Sequence, residues 1–384
     1  MSQGANSSPQ FEAVGGHKSS IFYGQSTRDG RSTLRKTTTA WEVLYYLAME
    51  LAKDGEEGEG EADAAAAASN GSDSIRIKFI HAMGKLASLT PTLFALRFPA
   101  KFVPKAVELH PYVGQRGKWI VLEEGSPART LVGPLFHELF DGAESLKGFD
   151  GEYDTGVWGI GLVNEASGMT KTCAMDVKIG FIRHSPLTPQ DKVARVLMKE
   201  HNSLMRHTAL RICGCHRYIS ADPSNRRGES EGEAAQFTRE LFGKEIGYAV
   251  SDVAELSTCL KLFFSSGVPL AKVTEDGTLV FPAEALADVS ETEKCKADKR
   301  IADIRAAIRA LLQFFEETPQ GIFLLQRMAF VSTSVLLFYD AAASPAAARL
   351  RLIDFARSTW RKFNYDESTV GFVQGLKNLD AYLS

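Results

Sequence analysis

No stretch of this 384-residue chain is apolar for long enough to cross a membrane, and its opening residues, MSQGANSSPQ, lack the pattern of a secretory leader. Cysteine is scarce. Five thiols in no disulfide-like spacing fit a reducing compartment, so a place in the cytoplasm and/or nucleus is expected. Metal-ligand motifs are also missing. The nearest approach, Cys213-Gly-Cys215-His216, sits in the strand-like LRICGCHRYIS without a second ligand pair and reads as structural. Nor is there a strong excess of charge: the formal net charge is −3, which by itself does nothing to attract anions.

That charge is unevenly spread. Residues 54–73 (DGEEGEGEADAAAAASNGSD) hold seven acids and no base, leaving 44 Lys and Arg against 40 Asp and Glu elsewhere, a net of +4. This Ala- and Gly-rich stretch is expected to be a disordered insertion in a mildly basic body. Residues 1–10 are expected to be disordered, and Gly- and acid-rich 126–155 has the look of a second insertion. FEAVGGHKSSIFYG and RSTLRKT suggest two strands joined through a glycine turn. A helix over about 39–53 follows, with Trp41, Leu44, Tyr45 and Ala48 as its apolar stripe. KWIVLEEG reads as a strand, and GVWGIGLVNEASGMTKTCAMDVKIG as two strands around a connector. Residues 236–264 are expected to be helical. So is a segment over about 296–317, with Ile301, Ile304, Ile308, Leu311 and Phe315 on one face and Pro319 as its stop. VSTSVLLFYD and LRLIDFARS return to β structure, with Asp354 at a strand end, and the tail closes in a helix.

The informative stretch is 172–180, TCAMDVKIG. Strand alternation puts Asp176 and Lys178 on one face and Met175, Val177 and Ile179 on the other. A carboxylate and an ammonium then share a face that needs water, a partner or a ligand. Taken alone, this is equally the pattern of a partly exposed strand with a weak ion pair. Soon afterwards, Thr188-Pro189-Gln190-Asp191 carries the cap residue, first-turn proline and acid of a helix start. In the helix it opens, Lys192, Arg195 and Lys199 fall at i, i+3 and i+7 on one face, beside an apolar face of Val193, Leu197 and Leu204. Such a stripe is either solvated surface or a cover for the site of Asp176 and Lys178.

TCAMDVKIG resembles the P-x-x-x-D-x-K-x-G signature of the inositol polyphosphate kinases. GLVNEASGMTKTCAMDVKIG, VSTSVLLFYD, RLIDFARS and VGFVQGLKNL, in that order, are similar to that family's C-terminal lobe. VGGHK followed by LRK is similar to its phosphate-covering turn and nucleotide lysine. The likeness runs from about Phe11 to Leu383 outside the insertions. Three departures stand out: Thr172 replaces the signature proline, Thr333-Ser334-Val335-Leu336 stands where S-S-L-L is usual, and Val163-Asn164 where the hinge usually has an acidic pair. None removes a group the chemistry needs; Thr172 gives up only a stiffened φ. An ordinary protein kinase is excluded, because no H-R-D-x-x-x-x-N loop or D-F-G is present.

The resemblance implies an α+β, two-lobed fold related to protein kinases and ATP-grasp enzymes. An antiparallel N-lobe would cover 11–165 and a larger α+β C-lobe 166–384, with a short substrate-binding helical segment at about 181–210. It implies a phosphotransferase that uses ATP and Mg²⁺ on inositol polyphosphates, multikinase-like, with tris- and tetrakisphosphates as acceptors. The alternatives are a hexakisphosphate kinase making pyrophosphates and, in another class, an inositol-phosphate-binding pseudokinase or scaffold. Catalytic roles would fall to Lys36, Asp176 and Lys178. ATP would be held by Gly15, Gly16, His17, Lys36, Val163, Glu165 and Asp176. Substrate phosphates would meet Lys178, Lys192, Arg195, Lys199 and Arg357, and the metal Asp354 with Ser334. Glu42 is the expected ion-pair partner of Lys36. Arg35 would replace Lys36 if the strand register slipped by one residue. The expected partners are small molecules, inositol polyphosphate and ATP, with no nucleic acid, no transmembrane segment and a monomeric state.

Overall fold

The computed structural model describes residues 21–24, 26–54, 71–145, 157–185, 188, 190–201, 203–220, 237–282, 289–360 and 366–384. Gly15, Gly16 and His17, and the acidic stretch apart from its two ends, lie outside the described residues.

Two five-stranded antiparallel sheets organise an α+β fold. The first contains β1 (Ile21–Tyr23), β2 (Thr33–Thr38), β3 (Leu93–Arg97), β4 (Trp119–Val121) and β5 (Trp158–Val163), in the order β1-β2-β5-β3-β4. The second contains β6 (Thr172–Ile179), β7 (Leu210–Ser220), β8 (Phe237–Phe242), β9 (Ser334–Asp340) and β10 (Ala348–Ile353), in the order β10-β9-β6-β7-β8. Residues 164–171 lead from β5 into β6 and so connect the sheets.

Helix α1 (Ala40–Asp54) shows why the sheets stay together. Thr39 caps it, its hydroxyl accepting the Glu42 N–H at 3.4 Å. Every residue from Ala40 to Glu50 is buried, as expected of a helix covered on all sides. α2 (Ser72–Leu86) packs on it closely enough that a Cβ at Gly84 would strike Ala52. The second expected insertion is corrected here. Within 126–155, Pro127–Leu131 is a 3₁₀ turn capped by Ser126, and α3 (Val132–Ser145) buries Leu135, Phe136, Leu139 and Phe140; residues 146–156 are outside the described set. Trp360, from near the chain's end, packs edge-on against Trp41, Phe79 and Phe140. The Tyr45 hydroxyl donates to the Ser358 carbonyl at 2.7 Å across 313 residues of sequence.

Helix α4 (Gln190–His201) begins where the cap pattern placed it. Its expected apolar face is only half realised: Val193 is partly buried, but Leu197 is 42% exposed. Residues 236–264 are not one helix. They form β8, then α5 (Glu245–Ala249) and α6 (Val253–Phe263). Pairing of FTRELF with the long β7 decides the matter, because a six-residue segment has no helical stripe to oppose it. α7 (Glu291–Glu317) starts five residues earlier than expected and buries Ile304, Ile308, Leu311 and Phe315. Thr318 then caps α8 (Pro319–Arg327), accepting the Gly321 N–H at 3.0 Å. The chain ends in α9 (Phe372–Tyr382).

Candidate active site

A cleft of about 850 Å³, open mouth included, lies between the two sheets. Its walls are apolar, with Leu34 and Leu162 on one side and Leu336, Phe338 and Ile353 on the other. Val163 and Glu165 line it where the chain passes between the sheets, and Glu165 is paired there with Arg351 at 2.8 Å. Lys36, Glu42 and Asp354 line it too. An apolar slot with few polar groups suits a flat heterocycle joined to a charged tail.

Strand pairing assembles the polar end. In register, Ser334 stands opposite Lys178, and Leu336 opposite Asp176. β10 then brings Asp354 past Ile353, the partner of Ser334. Asp354 takes a left-handed backbone, φ 65°, rare for a residue with a side chain. Its carboxylate is thereby held between two lysines. One oxygen pairs with Lys36 and the other accepts from Lys178 at 3.0 Å. Lys36 also pairs with Glu42 at 3.1 Å, and the same Glu42 oxygen accepts the Phe355 N–H at 3.1 Å. Lys178 donates further to the Ser334 hydroxyl at 3.0 Å and the Ser332 carbonyl at 3.2 Å. Arg35 points the other way, its guanidinium 4.9 Å from the centre of the Trp119 ring. The geometry therefore puts Lys36 in the cluster.

Electrostatics follow from this packing. Burial raises the Asp354 carboxyl, but the two lysines outweigh it and hold the group far below the usual carboxylate range. Burial likewise works against charge on Lys36 and Lys178, yet the carboxylates around them raise both ammoniums overall. Asp176 behaves differently. It is 2% exposed and its Oδ1 has no hydrogen-bond partner. Burial, aided by the charge of Asp354, raises its carboxyl despite the nearby Lys178.

Other expected site residues are less involved. Lys192 and Arg195 are exposed on α4, Arg195 paired with Asp191 at 2.7 Å, and neither touches Asp176 or Lys178; the Lys199 side chain is outside the described set. Arg357 is closer to the cluster, its guanidinium donating to the Arg183 carbonyl.

Sequence reasoning missed Arg211. A β-bulge between β6 and β7 shifts their register at Asp176, with Gly214 at φ 148°, and sets Arg211 directly opposite Lys178. Arg211 is 6% exposed and donates to the Tyr248 hydroxyl at 2.7 Å and the Cys213 sulfur at 3.3 Å. Its Nε has no partner, and no carboxylate among the described residues pairs with it. Its charge acts on the nearby Asp176, and a buried guanidinium with no direct ion pair suits an anion.

Among the described residues, no three His, Cys, Asp or Glu side chains converge on a possible metal position. Asp354, the unpartnered oxygen of Asp176 and the Ser334 hydroxyl still offer hard oxygen ligands. So few protein ligands fit a small divalent cation that takes its remaining ligands from phosphate and water.

The apolar slot thus leads to a lysine–aspartate–lysine cluster. Residues 159–384 match the family described as "Inositol polyphosphate kinase", and the chain belongs to that family. Two solved structures are similar. One comes from "Structural Studies and Protein Engineering of Inositol Phosphate Multikinase", at 20% identity over 58% of this chain and 83% of that one, with a TM-score of 0.40. The other is an inositol phosphate multikinase of S. cerevisiae in complex with ADP and Mn²⁺, at 18% identity over 59% and 83%, with a TM-score of 0.37. No curated protein matches the chain.

Proposed function

We propose that this inositol polyphosphate kinase transfers the γ-phosphoryl group of ATP to a hydroxyl of an inositol tris- or tetrakisphosphate. The observation that carries the reading is the Lys36–Asp354–Lys178 cluster at the polar end of the apolar cleft, beside the buried Asp176. The adenine base occupies the slot between Leu162 and Leu336, against the backbone of Val163 to Glu165. Lys36, braced by Glu42, binds nucleotide phosphate. Lys178 meets the moving phosphoryl group, and Asp176 orients the acceptor hydroxyl. Asp354 and Ser334, with Asp176, would hold Mg²⁺, which would supply positive charge to offset that of the phosphates.

The protein does little covalent work in such a transfer; it positions the groups and balances their charge. Acceptor phosphates need cations of their own. Arg211 and Arg357 stand beyond Lys178, and the exposed α4 cations add long-range attraction.

The test incubates the protein with ATP, Mg²⁺ and separate inositol tris-, tetrakis- and hexakisphosphates, then resolves products by charge. Phosphorylation of the lower phosphates, lost in Lys178→Met, is the expected result. Products from hexakisphosphate alone would replace this reading with a pyrophosphate-forming one. Tight binding without any product would make the protein a scaffold.

A further inference from the structure

Tyr248 sits where the cations beyond Lys178 converge. Its helix, α5, lies flat on β7 because residue 247 is glycine; a Cβ there would run into the Ile212 carbonyl oxygen. This close approach lays the Tyr248 ring over Arg211, whose guanidinium is 5.1 Å from the ring centre. The phenol oxygen is 2.7 Å from Arg211 Nη1, and the Arg183 guanidinium lies near enough to act on it. Arg183 is 7% exposed, and its backbone carbonyl is gripped by Arg357. The phenol oxygen thus holds the guanidinium that faces Lys178 across the sheet, with a second one close by. Yet the Tyr248 residue is 48% exposed, so ligands can reach this end of the site.

We propose that Tyr248 is a specificity-determining positioning residue: its hydroxyl and ring hold Arg211, beside Arg183, in the orientation that grips one ring phosphate of the inositol substrate. The inference rests on the function proposed above. A guanidinium held by one fixed contact loses less freedom when it binds, so this contact strengthens phosphate affinity without touching the transfer step. It also makes affinity depend on pH. The groups facing the phenol are Arg183, Arg211 and, behind Arg211, the Cys213 thiol. On its own helix Glu245 is turned to the Gly243 N–H, Lys244 precedes the first turn, and Lys272 lies on the strand packed against α5. Burial raises the phenol pKa, but the two guanidiniums prevail and lower it. A phenolate on these guanidiniums competes with a substrate phosphate.

The experiment compares wild type with Tyr248→Phe between pH 7 and 9.5, using inositol 1,4,5-trisphosphate and inositol hexakisphosphate as probes. Titration calorimetry gives Kd, and steady-state kinetics give KM and kcat. In Tyr248→Phe, Kd and KM for the accepted probe should rise about tenfold, as expected for losing a hydrogen bond to a charged group. kcat and the KM for ATP should stay within about twofold, and Tm should hold, because only a half-exposed hydroxyl is removed. Wild-type affinity should weaken with rising pH more steeply than that of the variant. Equal Kd values, or identical pH profiles, overturn the proposal. A drop in kcat at unchanged KM overturns it too, since that signature belongs to the transfer step. If wild type binds neither probe, the function proposed above fails and this inference with it. If wild type turns over and the variant matches it, only the role of Tyr248 is lost.

Discussion

Replacing Asp354 by Asn tests the centre of the site, because that carboxylate holds both lysines. The change keeps the shape and removes the charge. Each charged hydrogen bond contributes roughly 1.5–3 kcal/mol, and two are lost. Lys36 keeps Glu42 and Lys178 keeps Ser334, so the net loss should be about 2–4 kcal/mol. With unfolding entropy near 2.1 cal/mol/K per residue, that lowers Tm by about 2–5 °C. The pH dependence has a definite sign. The Asp354 carboxyl is depressed in the fold, so its contribution is present above the ordinary value near 3.9 and is lost as pH falls toward the depressed one. The lysines are raised, so their share is present below about 10.4 and is lost as pH rises through their folded values. Wild type and Asp354→Asn should therefore differ most in Tm between about pH 5 and 9 and draw together in acid. Thermal melts across that range give the stability, and turnover is measured against Mg²⁺. We expect kcat to fall by on the order of 10³-fold. A Tm unchanged at pH 7 would show that the cluster adds no net stability. Near-normal turnover at saturating Mg²⁺ would remove Asp354 from the metal.

Asp176→Asn should do the opposite to stability. A buried carboxyl with a raised pKa opposes the fold when ionised, so the variant should gain about 1–2 kcal/mol at pH 7 in melts without ligand, while losing turnover. The gain should shrink as pH falls and wild type takes up its proton; a variant less stable than wild type at pH 7 would refute the assignment. Arg211→Gln should raise the inositol phosphate KM about tenfold, and Lys192→Gln with Arg195→Gln at most about threefold. The reverse order in steady-state kinetics would move the phosphate site onto α4. Trp360→Ala should cost about 3–5 kcal/mol by denaturant titration, since it empties the centre of the aromatic cluster.

The D-x-K strand was legible because strand alternation needs no tertiary information: the residues assigned to one face do lie together against β9 and the cleft. α1 and α7 were legible from their apolar spacing. Over 126–155 the Gly- and acid-rich ends hid the core residues of α3, among them Leu135, Phe136, Leu139 and Phe140. FTRELF became a strand through its partner rather than its own pattern. Arg211 was hidden for a geometric reason. A bulge changes the parity of β7, so counting alternate residues from either end gives the wrong face on one side of Gly214. The positive φ that aims Asp354 is not distinctive in LIDF, since aspartate is tolerated there but far more often takes ordinary backbone angles.

Trp360 and Ser358 also bear on how the chain reaches its native state. α1 leaves the ribosome well before part of its cover, which arrives 313 residues later, when Ser358 reaches Tyr45. At about 5–20 residues per second, that delay is roughly 15–60 s. During that interval Trp41 and Phe79 lack Trp360, and the apolar helix is shielded by its earlier neighbours α2, α3, β3 and β5. The cover of α1 is thus completed only by residues 358–360, so this part of the core closes late in synthesis.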